Sequence, residues 1–153
     1  MANEVETYLI EKKIPFTAIT LPVEDEELTE VPKDAEKIFK TLVLKGDKTG
    51  VVIALVPWQA RLDYKKAAKA TGNRKIGFPP MDFVLEHTGY VHGANTPIGI
   101  QMHHPEYTLL IDQSIKDYPS VIISSGELGH AVEIAVTDLL ELLQSSVVDL
   151  LKV

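Results

Sequence analysis

Apolar positions along this chain switch repeatedly between a helical spacing and a strict alternation. Val5, Tyr8 and Leu9 follow the helical spacing behind Asn3, a residue suited to cap a helix, and Pro15 ends that segment. "FTAITL" then alternates as a strand does. Residues 22–34, "PVEDEELTEVPKD", are acidic, hold two prolines and read as a loop with at most one short helical turn. "IFKTLVLKG" and "VVIALVP" are strands joined by the turn "KGDKTG", so they form a hairpin. "VVIALV" is apolar on both faces, which predicts a central strand covered on both sides.

"LDYKKAAKATG" predicts a helix that turns Tyr64, Ala67 and Ala68 inward and stops at Gly72. "PPMDFVLEHTG" predicts a second, burying Met81, Val84 and Leu85. "YVHGANTPIGIQMHHPE" has no usable period and reads as a long structured loop. "YTLLID", "SVIISS" and "HAVEIAV" read as strands, and "DLLELLQ" as a last helix capped by Thr137. "SVVDLL" adds an edge strand or a turn of helix. Strands and helices are mixed, with short turns between several strands. The expected fold is α+β (mixed α/β): a single domain over residues 1–153 built around one twisted sheet.

Composition narrows the chemistry. The chain has 153 residues and no cysteine, which removes disulfides, a cysteine nucleophile and thiolate zinc sites. No apolar run reaches membrane-spanning length, and the acidic, amphipathic "MANEVETYLIEKK" lacks a signal-peptide layout; the expected location is cytoplasmic, with no membrane partner. The net charge of −7 is unevenly spread. Residues 31–78 carry 11 basic and 4 acidic groups, while both flanking segments are strongly acidic. A basic middle third inside an acidic chain marks either a surface that meets an anion or a solvated face balanced by nearby acids.

Among single residues Lys40 stands out. It shares a strand face with Leu42 and Leu44, so its ammonium either reaches past the sheet to water or sits at a pocket mouth as a point charge for phosphate or carboxylate. The loop Gly93-Ala94-Asn95-Thr96-Pro97-Ile98-Gly99 offers backbone N–H groups that could face an anion or oxyanion, or is an ordinary connection. Ser124, Ser125 and His130 do not make a triad, because nothing marks an orienting acid; serine before Gly126 is more often turn chemistry. His130 reads as a partly buried strand residue and Glu133 as solvent-exposed. His103 and His104, adjacent on a strand, would point apart, and no HExxH occurs; no metal or cofactor is expected. Walker A, GxGxxG and GxSxG motifs are absent.

The order "IFKTLVLKGD", "ALVP", "LDYKKAAKATG", "EHTGYVHGANTPIG", "IISSGELG", "VEIAVTDLLELL" resembles the YbaK / prolyl-tRNA-synthetase-associated editing domain family from about Phe39 to Leu143. The resemblance implies a twisted, barrel-like mixed sheet flanked by helices. It implies deacylation of mischarged tRNA, commonly tRNA-Pro, with prolyl-tRNA synthetase as a partner. It places Lys40 in the substrate pocket, holding the phosphate side of the terminal adenosine. Backbone N–H groups near Gly93 and Ala94 would polarise the ester carbonyl. Thr96, Pro97, Ser124, Ser125 and Gly126 would form the substrate-binding wall, with Thr96 and Ser124 lining the pocket. Lys65, Lys66, Lys69, Arg74 and Lys75 are the candidate tRNA contacts. A loop glycine of the bacterial deacylases stands as Ala94, an aspartate after the serine turn as Ala131, and the basic residues after the loop as "QMHHPE". Two rival readings stay open: a non-catalytic module binding aminoacyl-adenosine or nucleotide for a synthetase, and a hydrolase of small esters.

Overall fold

A computed structural model describes residues 2–24 and 27–153; Asp25 and Glu26, inside the expected acidic loop, lie outside the described residues. The element order is α1 (Glu4–Glu11), β1 (Phe16–Thr20), β2 (Val23–Glu24), β3 (Glu27–Leu28), β4 (Phe39–Gly46), β5 (Gly50–Pro57), α2 (Tyr64–Thr71), β6 (Ile76–Gly77), α3 (Met81–Thr88), α4 (Pro97–His103), β7 (Thr108–Asp112), β8 (Ser120–Ser124), β9 (His130–Ala135), α5 (Val136–Leu142) and β10 (Ser146–Val148). One 3-10 turn precedes β4 and another follows β7.

A five-stranded mixed sheet has the order β10-β7-β5-β4-β6, and a three-stranded antiparallel sheet the order β1-β9-β8. The expected α+β architecture is present, but the sheet does not close into a barrel. Between the two sheets the described ladder is a single parallel bridge, Ile38 to Ile122. β5 is the central strand: Val51, Ile53 and Leu55 enter one core cluster, and Val52, Ala54 and Val56 enter another under α2. A strand covered on both sides has no polar face, which is why its sequence is continuously apolar.

Helix starts account for several departures from expectation. Residues 97–103 form a helix, not loop. Thr96 caps it by accepting from the Gly99 N–H at 3.3 Å, and Pro97 occupies the first turn, where its missing N–H costs nothing. Gly99 is needed there because a Cβ would run into the Tyr90 ring and hydroxyl. Thr137 is not a cap. α5 begins at Val136, directly after β9, and the Val136 N–H donates to Pro119 O. Met81 and Leu85 are not buried but 62% and 50% exposed, because α3 lies along a cavity and its covered side is Phe83, Val84 and Thr88. Tyr64, the first residue of α2, is exposed and meets Phe78 edge-on. Asn3 caps α1 as expected, in a capping box with Glu6.

The turn between β4 and β5 is clasped to the end of α2. The Asn73 side chain accepts from the Lys48 and Thr49 N–H groups and donates to the Thr49 and Thr71 hydroxyls. Asp47 accepts from the Arg74 and Lys75 N–H groups, and the bond from Lys75 leads the causes holding its carboxyl below the usual range. Gly46 leaves the room for Asn73, since a Cβ there would overlap its amide. Gly46→Ala is expected to cost about 1–3 kcal/mol in denaturant unfolding, because the amide is held on four partners and cannot swing aside cheaply; a midpoint equal to wild type would contradict this packing.

Candidate functional site

β4 positions the site because only one of its edges is paired throughout. It runs against β5 from Phe39 to Gly46, but on the other side β6 meets it only at Lys45 and Gly46. Together with the bridge at Ile38, this leaves a gap between the sheets, and a cavity of about 670 Å³ occupies it. The gap is walled by β4, by β8 and β9, by the β2–β3 hairpin and by the loop before α4. Its described lining is mostly apolar and holds no carboxylate. A cavity of this size and character is in the usual range for small-molecule sites.

Lys40 lines that cavity. Its stem lies on the Leu42 and Leu44 face, opposite Val56, and its Nζ donates to Ala60 O at 2.9 Å. No carboxylate lies within ion-pair distance of it among the described residues. Burial alone pushes its pKa below the ordinary lysine value. A half-buried cation with a carbonyl but no anion beside it is suited to bind one.

The glycine loop contributes to the lining of the same cavity as Lys40. Gly93 has φ +85°, a left-handed conformation that favours glycine, and its N–H has no acceptor among the described residues. Ala94 differs from expectation. Its N–H already donates to Val91 O at 3.0 Å, so it is not free to polarise an ester carbonyl, and its side chain is buried. Its carbonyl accepts from the Ser124 hydroxyl at 3.1 Å, and that hydroxyl accepts from the Gly126 N–H at 3.3 Å. Ser124 therefore lines the cavity and also locks the loop to the β8–β9 turn.

Thr96 does not line the cavity: it is fully buried, and its hydroxyl is spent as the cap of α4. Pro97 is buried at the start of that helix. Ser125 is buried too, accepting from Asn3 Nδ2 at 2.8 Å. Gly126 has φ +107°, and a Cβ on it would come within 3.0 Å of the Tyr90 ring. These four residues hold the wall in place from behind. Three of the expected site residues, Lys40, Gly93 and Ser124, meet at the cavity itself.

Other lining residues carried weaker sequence signals. Thr41 follows Lys40 directly, and its buried hydroxyl has no partner among the described residues. His92 precedes Gly93, and Trp58 is the single tryptophan. His130 is exposed, with Glu127 3.9 Å away, and not partly buried. Glu133 is half-buried and not free: the Ser120 hydroxyl, foremost, and Lys37 hold its carboxyl below the usual range. His103 and His104 close α4 and lie on no strand; they pair with Glu4 and Glu106.

Of the basic candidates, Lys65, Lys69, Arg74 and Lys75 are exposed. Lys66 is engaged: its Nζ donates to Asp149 at 2.8 Å and to Leu151 O at 2.7 Å. It ties α2 to the segment after β10.

The aminoacyl-tRNA editing domain family matches residues 24–142. The chain belongs to this family. A relative from Enterococcus faecalis, named "Putative Cys-tRNA(Pro)/Cys-tRNA(Cys) deacylase EbsC", is 39% identical over 106 residues, 69% of this chain and 63% of its own length. "Uncharacterized protein YwhH" of Bacillus subtilis is 30% identical over 105 residues, 69% of this chain and 64% of that protein. The chain thus spans just under two thirds of the length of these curated relatives. Among solved structures, "a putative trans-editing enzyme for prolyl tRNA synthetase" superposes with a TM-score of 0.76 at 26% identity, over 90% of this chain and 87% of that one. "Hypothetical protein APE2540" shares the fold, with a TM-score of 0.84 at 19% identity over 98% and 100% of the two chains. The strand bearing Lys40, the loop at Gly93 and the turn at Ser124 converge on the cavity.

The unusual position of Lys40 gives a direct measurement. Desolvation penalises its charged form, so that cost to stability is present below its folded pKa and disappears as pH rises through that value towards 10.5. Side-chain NMR is expected to show Lys40 titrating at lower pH than the exposed lysines, and adenosine monophosphate is expected to raise that pKa. Titration with the bulk of the lysines, unmoved by the nucleotide, would contradict the site.

Proposed function

We propose that the chain is an aminoacyl-tRNA deacylase of the trans-editing kind. It would hydrolyse the ester between an amino acid and the terminal adenosine of a mischarged tRNA, with tRNA-Pro as the expected substrate and the cytoplasm as its place of action. The observation that carries this reading is a half-buried Lys40, without a carboxylate partner among the described residues, in a cavity whose described lining holds no carboxylate and also includes Gly93 and Ser124. Family membership and the names of the relatives support it.

The proposed mechanism uses placement and electrostatics rather than a protein nucleophile. The chain has no cysteine, and the Ser124 hydroxyl is committed to Ala94 O. Lys40 holds the phosphate next to the terminal ribose and so fixes the ester in the cavity. The Gly93 N–H donates to the developing oxyanion, while the Ala94 N–H stays committed to Val91 O. Water attacks the carbonyl; the bond to the ribose oxygen breaks, that oxygen takes a proton given up by the water, and the free amino acid leaves as its carboxylate. Orientation and a preorganised donor are effective sources of rate acceleration in a site that excludes bulk water. The exposed Lys65, Lys69, Arg74 and Lys75 would meet phosphates farther along the tRNA. Prolyl-tRNA synthetase is the partner this reading implies.

A panel of mischarged tRNAs tests the reading. Wild type is expected to deacylate at least one of them, and Lys40→Ala to lose about tenfold or more of kcat/KM while remaining folded, in keeping with the roughly 1.5–3 kcal/mol of a charge-assisted contact. Activity on small esters alone would favour the small-ester hydrolase, and binding without turnover the accessory module. Replacing Lys65 and Lys69 is expected to weaken tRNA binding and flatten its salt dependence by up to about one log-log unit per lost contact. Lys66→Ala should instead lower the unfolding midpoint, because its partners lie within the fold.

A further inference from the structure

Between the cavity and the lysine-bearing helix α2 lies an exposed aromatic residue. Phe78 is 55% exposed, yet part of it lines the cavity. It is held firmly for a surface side chain. The preceding strand β6 is laddered to β4, Pro79 and Pro80 stiffen the chain after it, and the Tyr64 ring meets it edge-on at 5.7 Å. Tyr64 opens the helix that displays Lys65 and Lys69. Phe78 thus meets both the cavity and solvent.

The geometry points to Phe78, buttressed by Tyr64, as a stacking platform for the nucleotide that precedes the terminal adenosine of a single-stranded RNA 3′ end. Rigid aromatic faces next to cationic side chains are how proteins hold unpaired bases, since every base offers a π-face and every linkage a negative charge. Charge complementarity favours this occupant. Lys40 lines the cavity that Phe78 also lines, and Lys65 and Lys69 are exposed on the helix whose first residue, Tyr64, meets Phe78. The nearest carboxylates in sequence are tied into the backbone: Asp63 accepts from the Lys65 and Lys66 N–H groups, and Asp82 from the Phe83 N–H. An extended strand leaving the cavity over Phe78 would thus pass from one cation to the next. The inference rests on the proposed deacylase reading, to which it adds a base-reading surface outside the pocket.

The test uses two reporters in one titration. Trp58, the single tryptophan, lines the cavity and reports its occupancy by intrinsic fluorescence. The RNA 5′-ACCA-3′, with 2-aminopurine replacing the second cytosine, reports stacking on Phe78 by quenching. With wild type, both signals are expected to change. Phe78→Leu keeps an apolar side chain and removes the ring. It is expected to abolish the quenching and to weaken binding of the RNA by roughly tenfold, a clearly larger loss than that of adenosine monophosphate followed by the Trp58 signal. Phe78→Tyr is expected to restore both. Equal RNA affinity for wild type and Phe78→Leu, with Trp58 still responding, would overturn the platform and leave the deacylase reading standing. An equal loss for RNA and for the mononucleotide would overturn it too, by making Phe78 a piece of cavity wall. No Trp58 response to either probe would remove the deacylase reading and the platform with it.

Discussion

The structure depends on one unpaired strand edge. β4 has a partner along its whole length on one side, and on the other only at its last two residues and at a bridge just before it begins. An exposed edge is ordinarily a hazard, because free N–H and C=O groups invite another strand. Here it is sheltered by the second sheet, the β2–β3 hairpin and the glycine loop, which stand off far enough to leave a cavity. Lys40 sits within that unpaired stretch, which explains how a lysine can occupy an apolar sheet face. Its stem lies on the same strand face as Leu42 while its ammonium donates to the Ala60 carbonyl.

The walls opposite are kept in register largely by hydroxyls. Ser124 binds the glycine loop to the β8–β9 turn, Thr96 is consumed in capping α4, and Ser125 is held by Asn3 at the start of α1. Tyr90 fills the space that Gly99 and Gly126 leave open. This division of labour leaves Lys40 as the principal fixed charge at the cavity. A described lining without carboxylates does not neutralise the lysine, so an anionic group entering the cavity meets one strong partner.

Much of this was legible in the sequence where a side-chain pattern reports burial directly. The alternation in "IFKTLVLKG" and the unbroken "VVIALVP" gave the central hairpin and put Lys40 on the correct face. The charge-poor, glycine-bearing run from Gly93 hid a helix, because Pro97 and Gly99 look like loop residues unless Thr96 is taken as a cap and Tyr90 as the neighbour that excludes a Cβ. Met81 and Leu85 have helical spacing, but periodicity cannot tell a core from a cavity rim. The roles of Ala94 and Lys66 were out of reach for a different reason. A backbone N–H already donated to Val91, and an ammonium bound near Leu151, depend on tertiary contacts that no local pattern encodes.

The central claim is that this sheltered edge receives the 3′ end of an aminoacylated tRNA, with Lys40 as its anchor. The most direct measurement is a crystal structure with a non-hydrolysable, amide-linked aminoacyl-adenosine carrying a 5′-phosphate. The account predicts the phosphate within hydrogen-bonding distance of Lys40 Nζ and the acyl carbonyl facing the Gly93 N–H. An analogue bound away from β4, with Lys40 still resting on Ala60 O and the cavity empty, would contradict it.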